Sequence, residues 1–320
     1  MNNILVLGGS GFVGRSVCDK LVERSNGAGG RITVPSRKPA RAKHIQMLPT
    51  VQLVEADVHD PAQLRRLVQG ADAVVNLVAI LHGSEAAFER AHVALPRTLA
   101  AACAATGVRR VVHVSALGVS EPGAAAAPSL YLRSKTAGEA VLRAADLDLT
   151  VLRPSVIFGE HDRFLNLFAT LQSVFPVIPL AGAQARFQPV WVQDVAEAIV
   201  ACLDRPATIG QTYECAGPQV LTLQQIVEAA GRWSGHERHV FGLPEALARL
   251  QAGMMELLPG EPLMSRDNVA SMRVPNVATG RWPGLAALGI TPASMEAVVP
   301  GYLSANQGVA RLDRWRARRP

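Results

Sequence analysis

Along the first half of the chain, short apolar runs rich in β-branched residues alternate with longer segments whose apolar residues recur every three or four positions. The runs are "NILVLG" (3–8), "RITVPS" (31–36), "VQLVEA" (51–56), "DAVVNLV" (72–78), "RRVVHVS" (109–115) and "LDLTVLRP" (147–154). They lack strict polar–apolar alternation, as expected of strands covered on both faces. Helical periodicity fills the gaps over 12–24, 60–68, 86–105 and 131–145. This rhythm predicts an α/β fold, a doubly wound parallel sheet with helices on both faces.

After Pro154 the rhythm breaks. A helical stretch (162–172) leads into "VFPVIPLAG", a loop or short strand, and 187–203 reads as a strand followed by a helix. Beyond 205 come a strand, "QTYECAG", and helices near 222–233, 244–258 and 265–272. The expected organisation is a first domain over 1–160, to which 187–204 returns. A smaller, mostly helical C-terminal lobe takes 161–186 and 205–310, and 311–320 forms a basic tail. In the helix at 244–258, Leu247, Leu250, Met254 and Leu257 share one face, a stripe expected to be core. Its two adjacent methionines leave a partner-facing groove as the minority reading.

Charge narrows the function classes. The formal net charge is +6, but the last twelve residues hold five arginines and one aspartate, which leaves the body at only +2. That is no electrostatic footprint for nucleic acid. No run of apolar residues is long enough to span a membrane. The four cysteines (Cys18, Cys103, Cys202, Cys215) form no C-x-x-C and read as buried free thiols. The chain enters its first strand almost at once and uses arginine in place of lysine. This fits a bacterial cytoplasmic protein, with a peripheral position at the inner face of the membrane as the further expectation.

The most informative segment is "GGSGFVG", between the first strand and the first helix. Gly8, Gly11 and Gly14 fall at G-x-x-G-x-x-G spacing. One glycine allows a sharp turn, one a close backbone approach to a pyrophosphate, and one close packing of helix on strand. The helix start offers unpaired N–H groups to phosphate. Strand–turn–helix is the context this motif requires, so it predicts a Rossmann-type site with Gly8, Ser10, Gly11, Phe12, Val13 and Gly14 around the diphosphate. An NAD site commonly has an acid at the end of the second strand to bind the ribose 2′-hydroxyl. Here no acid occurs between Arg31 and Arg41, and Ser36, Arg37 and Lys38 stand there instead. A guanidinium suits a 2′-phosphate, so NADP(H) is expected over NAD(H). Asp57 and Val58 are expected beside the adenine, although Asp60 with Pro61 also reads as a helix start. Leu77, Val78 and Ala79 would pass close to the cofactor at the end of strand four, and Val114 and Ser115 at the end of strand five.

"YLRSKTAGEAVLR" places Tyr131 one helical turn before Lys135. The chain has three tyrosines and four lysines, so this spacing is seldom met by chance. With the glycine loop and this Y-x-x-x-K, the sequence resembles the short-chain dehydrogenase/reductase superfamily in its extended or atypical branch. "LRPSVIFG" (152–159) and "PVWVQDVAEAI" (189–199) look like later signatures of that branch. "YLRSKTAGE", "RPSVIFGEHDRFLN", "MSRDNVASM" and "WPGLAALGI" are similar to the reductase-like, NADPH-holding accessory subunit of respiratory complex I and its stand-alone bacterial relatives.

The resemblance implies Tyr131 as general acid/base. Lys135 would favour its phenolate and donate to the nicotinamide ribose, and Pro154, Ser155 and Ile157 would line the nicotinamide. Ser115 is the expected third catalytic group. The next position departs from the pattern: extended members usually carry Ser or Thr where this chain has Ala116. Loss of such a donor commonly costs on the order of 10²-fold in rate. Two readings follow. The first is an NADPH-holding protein with a structural, assembly or redox-sensing role beside a respiratory-complex or membrane-peripheral partner. The second is an active NADP-dependent oxidoreductase or epimerase on a small carbonyl, nucleotide-sugar or quinone-like substrate. No metal site is expected, because Glu160, His161 and Asp162 read as the loop and cap before a helix.

Overall fold

The computed structural model describes residues 1–26, 30–121, 123–256 and 263–304. In chain order the elements begin β1 (Asn3–Leu7), α1 (Phe12–Arg24), β2 (Arg31–Ser36), α2 (Lys43–Gln46), β3 (Val51–Glu55), α3 (Pro61–Val68) and β4 (Ala73–Asn76). They continue with α4 (Glu85–Glu89), α5 (Leu95–Thr106), β5 (Arg110–Val114), α6 (Leu130–Arg143), β6 (Asp148–Pro154), β7 (Ile157–Phe158), α7 (Leu165–Val174) and β8 (Val177–Leu180). Then come β9 (Arg186–Phe187), β10 (Val190–Trp191), α8 (Val192–Asp204), β11 (Thr212–Cys215), β12 (Leu221–Thr222), α9 (Leu223–Ser234), β13 (His239–Gly242), α10 (Glu245–Glu256) and α11 (Arg266–Ser271).

Two compact units divide the chain: 1–154 with 193–215 and 279–291, and 155–192 with 216–278 and 292–320. The first is built on a seven-stranded sheet of order β3-β2-β1-β4-β5-β6-β11, every pair parallel. Successive strands run outward from β1 in one direction and from β4 in the other. The β1/β4 boundary is therefore the topological switch point, the place where such sheets open a ligand crevice. The runs forming β1, β4, β5 and β6 are buried on both faces, whereas the edge strand β3 is only partly covered. Leu5, Leu7, Val74, Val111 and Val151 pack against Leu64, Leu95, Leu99 and Leu142 from the helices. Asp60 caps α3 by accepting the Ala62 and Gln63 amides, with Pro61 just inside the helix.

Three differences from the sequence reading have physical causes. The strand of "QTYECAG", assigned to the C-terminal lobe, is β11, the edge strand of the main sheet beside β6. A buried parallel strand carries no local sign of which sheet it joins. The helix expected over 86–105 is interrupted by a π turn at Arg90–Ala94, where the Leu95 amide bonds the Arg90 carbonyl. Pro96 lacks the N–H that would bond the His92 carbonyl, so the regular ladder cannot continue there. The released carbonyl is met by a glycine of α6: a Cβ on Gly138 would sit 1.9 Å from the His92 oxygen.

The third correction concerns the second unit. Its core gathers Phe158, Leu165, Phe168, Ile178, Ile226 and Val240. The stripe on α10 is not part of any core: Leu247, Leu250 and Met254 are 51%, 61% and 63% exposed. The buried face is the one carrying Ala248 and Ala252, which pack with Ala181 and Val269. Leu257 lies outside the described residues, as does the basic tail. Asp162 acts as expected near a helix start, accepting the Phe164, Leu165 and Asn166 amides at the head of α7.

All four cysteines are free and buried. Burial pushes the Cys18 and Cys202 thiols up to about 12 and that of Cys103 up to about 11. Among the described residues, no helix is long and apolar enough to cross a membrane.

Candidate dinucleotide-binding site

The turn between β1 and α1 is built for close approach. Gly8 has φ +81°, a left-handed conformation that disfavours other residues, and its carbonyl accepts the Gly11 amide at 3.0 Å. A Cβ on Gly14 would fall 2.4 Å from both the Gly8 oxygen and the Gly9 Cα, so helix and loop interlock there. Gly11 precedes the helix without a side-chain cap, and the first turn carries no acid. Phe12, Val13 and Gly14 hold the amides that a helix start leaves without an intrahelical acceptor. Ser10 lies in the same turn. An uncapped, acid-free helix start behind a glycine turn fits a diphosphate.

Ser36, Arg37 and Lys38 follow at the end of β2, with Arg37 and Lys38 exposed. Ser36 Oγ accepts the Lys38 amide at 3.3 Å. Among the described residues no carboxylate pairs with either cation. At the end of β3, Asp57 Oδ1 accepts the His59 amide at 3.0 Å, and Oδ2 lies 3.7 Å from Arg90 of the π turn. Val58 continues the same loop. Burial, then the nearby Arg90 guanidinium, holds His59 below its ordinary range.

After β4 the segment Leu77–Ile80 is pinned at three of its four amides. The Leu77 amide bonds the Leu7 carbonyl, the Val78 amide bonds Asn76 Oδ1 at 3.3 Å, and the Ile80 amide bonds His92 Nε2 at 3.0 Å. Ala79 lies between the two side-chain anchors. Asn76 also reaches His113 Nδ1 of β5 at 3.2 Å.

Ser129 caps α6, which carries Tyr131 and Lys135 one turn apart on one face. Lys135 is buried and donates to the Val114 carbonyl at 2.8 Å. Burial lowers its ammonium to about 8, with the Glu139 carboxylate opposing the shift. Tyr131 packs edge-on against His92 and Phe88, and burial pushes its phenol up to about 12. The chain alone therefore does not favour a phenolate, burial being the cause. Ser115 follows β5, its amide bonded to the Leu152 carbonyl. Its Oγ is buried and has no hydrogen-bond partner among the described residues, which marks a hydroxyl with unspent capacity. Ala116 beside it is buried.

The carboxyl ends of β1 to β5 thus bring all these groups to one edge of one sheet, with Pro154 closing β6 beside them. Ser155 and Ile157 belong to the second unit. There Ser155 Oγ lies 2.7 Å from Asn276 Oδ1, and Ile157 pairs with Val190. Sequence reasoning missed Asn76, His92 and Arg90. Pro96 inside a helical pattern was the one available sign that something unusual preceded it.

Comparison with known proteins agrees with this geometry. A family model described as NAD(P)H-binding matches residues 8–206. The mitochondrial NADH dehydrogenase (ubiquinone) 1 alpha subcomplex subunit 9 of Rattus norvegicus is 32% identical over 91% of this chain and 77% of its own. A ceramide reductase of Caulobacter vibrioides is 31% identical over 76% of this chain and 74% of its own. Among solved structures, a dTDP-glucose 4,6-dehydratase of Streptomyces venezuelae with NAD bound superposes with a TM-score of 0.69 at 22% identity, covering 98% of this chain and 97% of that one. That likeness is one of fold. The chain belongs to the NAD(P)H-binding family, and the subunit 9 proteins are among its relatives.

Proposed function

We propose that the protein holds NADP(H), in preference to NAD(H), as a resident ligand with a structural, assembly or redox-sensing role beside a respiratory-complex or membrane-peripheral partner. Its place would be the bacterial cytoplasm, at the inner face of the membrane. The observation that carries this reading is the tightly packed glycine turn before α1, together with Ala116 where the resemblance leads one to expect a hydroxyl donor. Arg37 and Lys38 at the end of β2, with no acid nearby in sequence, support the 2′-phosphate. The relatives named as NADH dehydrogenase subunits support the partner, and the exposed Leu247, Leu250 and Met254 suit a docking face.

In this reading the amides of the first turn of α1 receive the diphosphate. Lys135 would donate to the nicotinamide ribose, and Tyr131 would stand beside the ring. The nicotinamide supplies or accepts a hydride when bound. A second reading, an active reductase or epimerase, is favoured by one observation: Tyr131 and Lys135 are both kept, beside the unpartnered Ser115 hydroxyl.

Purification with identification of the bound nucleotide, followed by challenge with carbonyl, nucleotide-sugar and quinone substrates, separates the two. A tightly held, inert NADPH whose removal lowers thermal stability supports the first, since a ligand bound only by the native state must stabilise it. Turnover that vanishes in Tyr131→Phe supports the second and overturns the first.

A further inference from the structure

His92 joins two parts of the edge that the sequence does not connect. Its Nε2 accepts the Ile80 amide at 3.0 Å, so that nitrogen carries no proton and the neutral ring bears its hydrogen on Nδ1. Nδ1 then donates to Ser134 Oγ at 2.8 Å, and Ser134 Oγ donates onward to the Tyr131 carbonyl at 2.8 Å. The directions are consistent from end to end: main chain of the β4 loop, imidazole, hydroxyl, main chain of α6. The ring also stands edge-on to the Tyr131 ring, with centroids 5.6 Å apart. His92 can reach both partners because it sits on the π turn, which Pro96 and the close approach of Gly138 define.

We propose that His92 is a positioning residue for the nicotinamide half of the bound dinucleotide, locking the Ala79–Ile80 backbone to the helix that presents Tyr131 and Lys135. The proposal rests on the dinucleotide site described above. It makes a claim about one half of the ligand only. The diphosphate turn and the basic end of β2 are held by their own hydrogen bonds, none of which involves His92.

The test is calorimetric titration of the full chain with NADPH and, separately, with 2′,5′-ADP, which lacks the nicotinamide. His92→Asn keeps a donor near Nδ1 and removes the Nε2 acceptor; His92→Gln keeps an acceptor near Nε2. Loss of a buried hydrogen bond predicts roughly tenfold weaker NADPH binding in His92→Asn. His92→Gln should stay within about threefold of wild type by the same reasoning. Both variants should bind 2′,5′-ADP as wild type does. NADPH affinity unchanged in His92→Asn overturns the proposal, and so does an equal loss for both ligands, which is the mark of general disruption. If His92→Asn does not fold, Ser134→Ala cuts the same chain at its hydroxyl. A selective NADPH loss is expected there, and unchanged NADPH binding overturns the proposal. A wild-type protein that binds neither ligand overturns the site itself, a result distinct from either variant outcome.

Discussion

Glu139 of α6 clasps Arg153 of β6: Oε1 accepts from Nε at 3.0 Å and Oε2 from Nη2 at 2.8 Å. Both side chains are buried, at 3% and 5% exposure. Arg153 is also paired with Glu121 and lies over the Trp282 ring. The forked pair fixes α6 against the sheet one turn beyond Lys135. Glu121 still faces Arg153 when Glu139 is neutralised, so Glu139→Gln weakens the compensation without abolishing it and should cost about 1.5–3 kcal/mol, the scale of a lost charge-assisted hydrogen bond, read from denaturant unfolding. A loss below about 0.5 kcal/mol would show the pair to be ordinary surface chemistry.

Gly14→Ala tests the cradle. The added Cβ meets backbone atoms at 2.4 Å on two sides, and neither can rotate away. Overpacking of this kind costs roughly 1–3 kcal/mol, and the displaced helix start should lose dinucleotide affinity as well. Thermal unfolding and calorimetric titration of the same variant check the two effects.

Arg37→Ala tests cofactor choice. Affinity for NADPH should fall by at least about tenfold, the scale of a lost charge-assisted hydrogen bond, while NADH affinity stays nearly level. Equal losses for the two would refute the 2′-phosphate assignment.

Lys135 gives the fold a pH dependence of defined sign. Its ammonium is lowered to about 8 by burial, whereas an unfolded lysine titrates near its ordinary value of 10.5. Between those values the unfolded chain binds more protons, so stability contributed at this residue rises with pH from about 8 to about 10. Above 10 the raised Tyr131 phenol works the other way, because the unfolded tyrosine ionises first. Wild type should therefore gain on Lys135→Met by up to roughly 3 kcal/mol across that window, measured by urea unfolding. A constant difference would contradict the burial of a charged amine.

The α10 stripe yields a prediction by contrast. Leu250→Ser should change stability by less than about 0.5 kcal/mol because the side chain is exposed. Ala248→Leu should cost roughly 1–3 kcal/mol, since it overfills the packed face. The reverse order would restore the stripe to the core.

The β1–α1 turn was legible because glycine spacing and strand–helix context encode one backbone path. The helix start at Asp60–Pro61 was legible for the same local reason. The α10 face was misread because periodicity weighs side chains by size. Here small alanines buy the close packing, and the large residues point outward. The place of β11 could not be read because partner choice in a parallel sheet is a long-range matter. The π turn hid behind a helical pattern that Pro96 alone contradicted. His92 looked like one more helix residue, since its partners at Ile80 and Ser134 lie 12 and 42 positions away.

The sheltered cysteines have a consequence for thiol chemistry. With all four cysteines buried and three of the thiols held at about 11 or 12, the nucleophilic thiolate is scarce at neutral pH. Thiol-directed alkylating reagents should leave the four native cysteines nearly untouched until the chain unfolds. In the proposed reading, a redox response would therefore rest on the hydride state of the nicotinamide and not on a cysteine of the polypeptide.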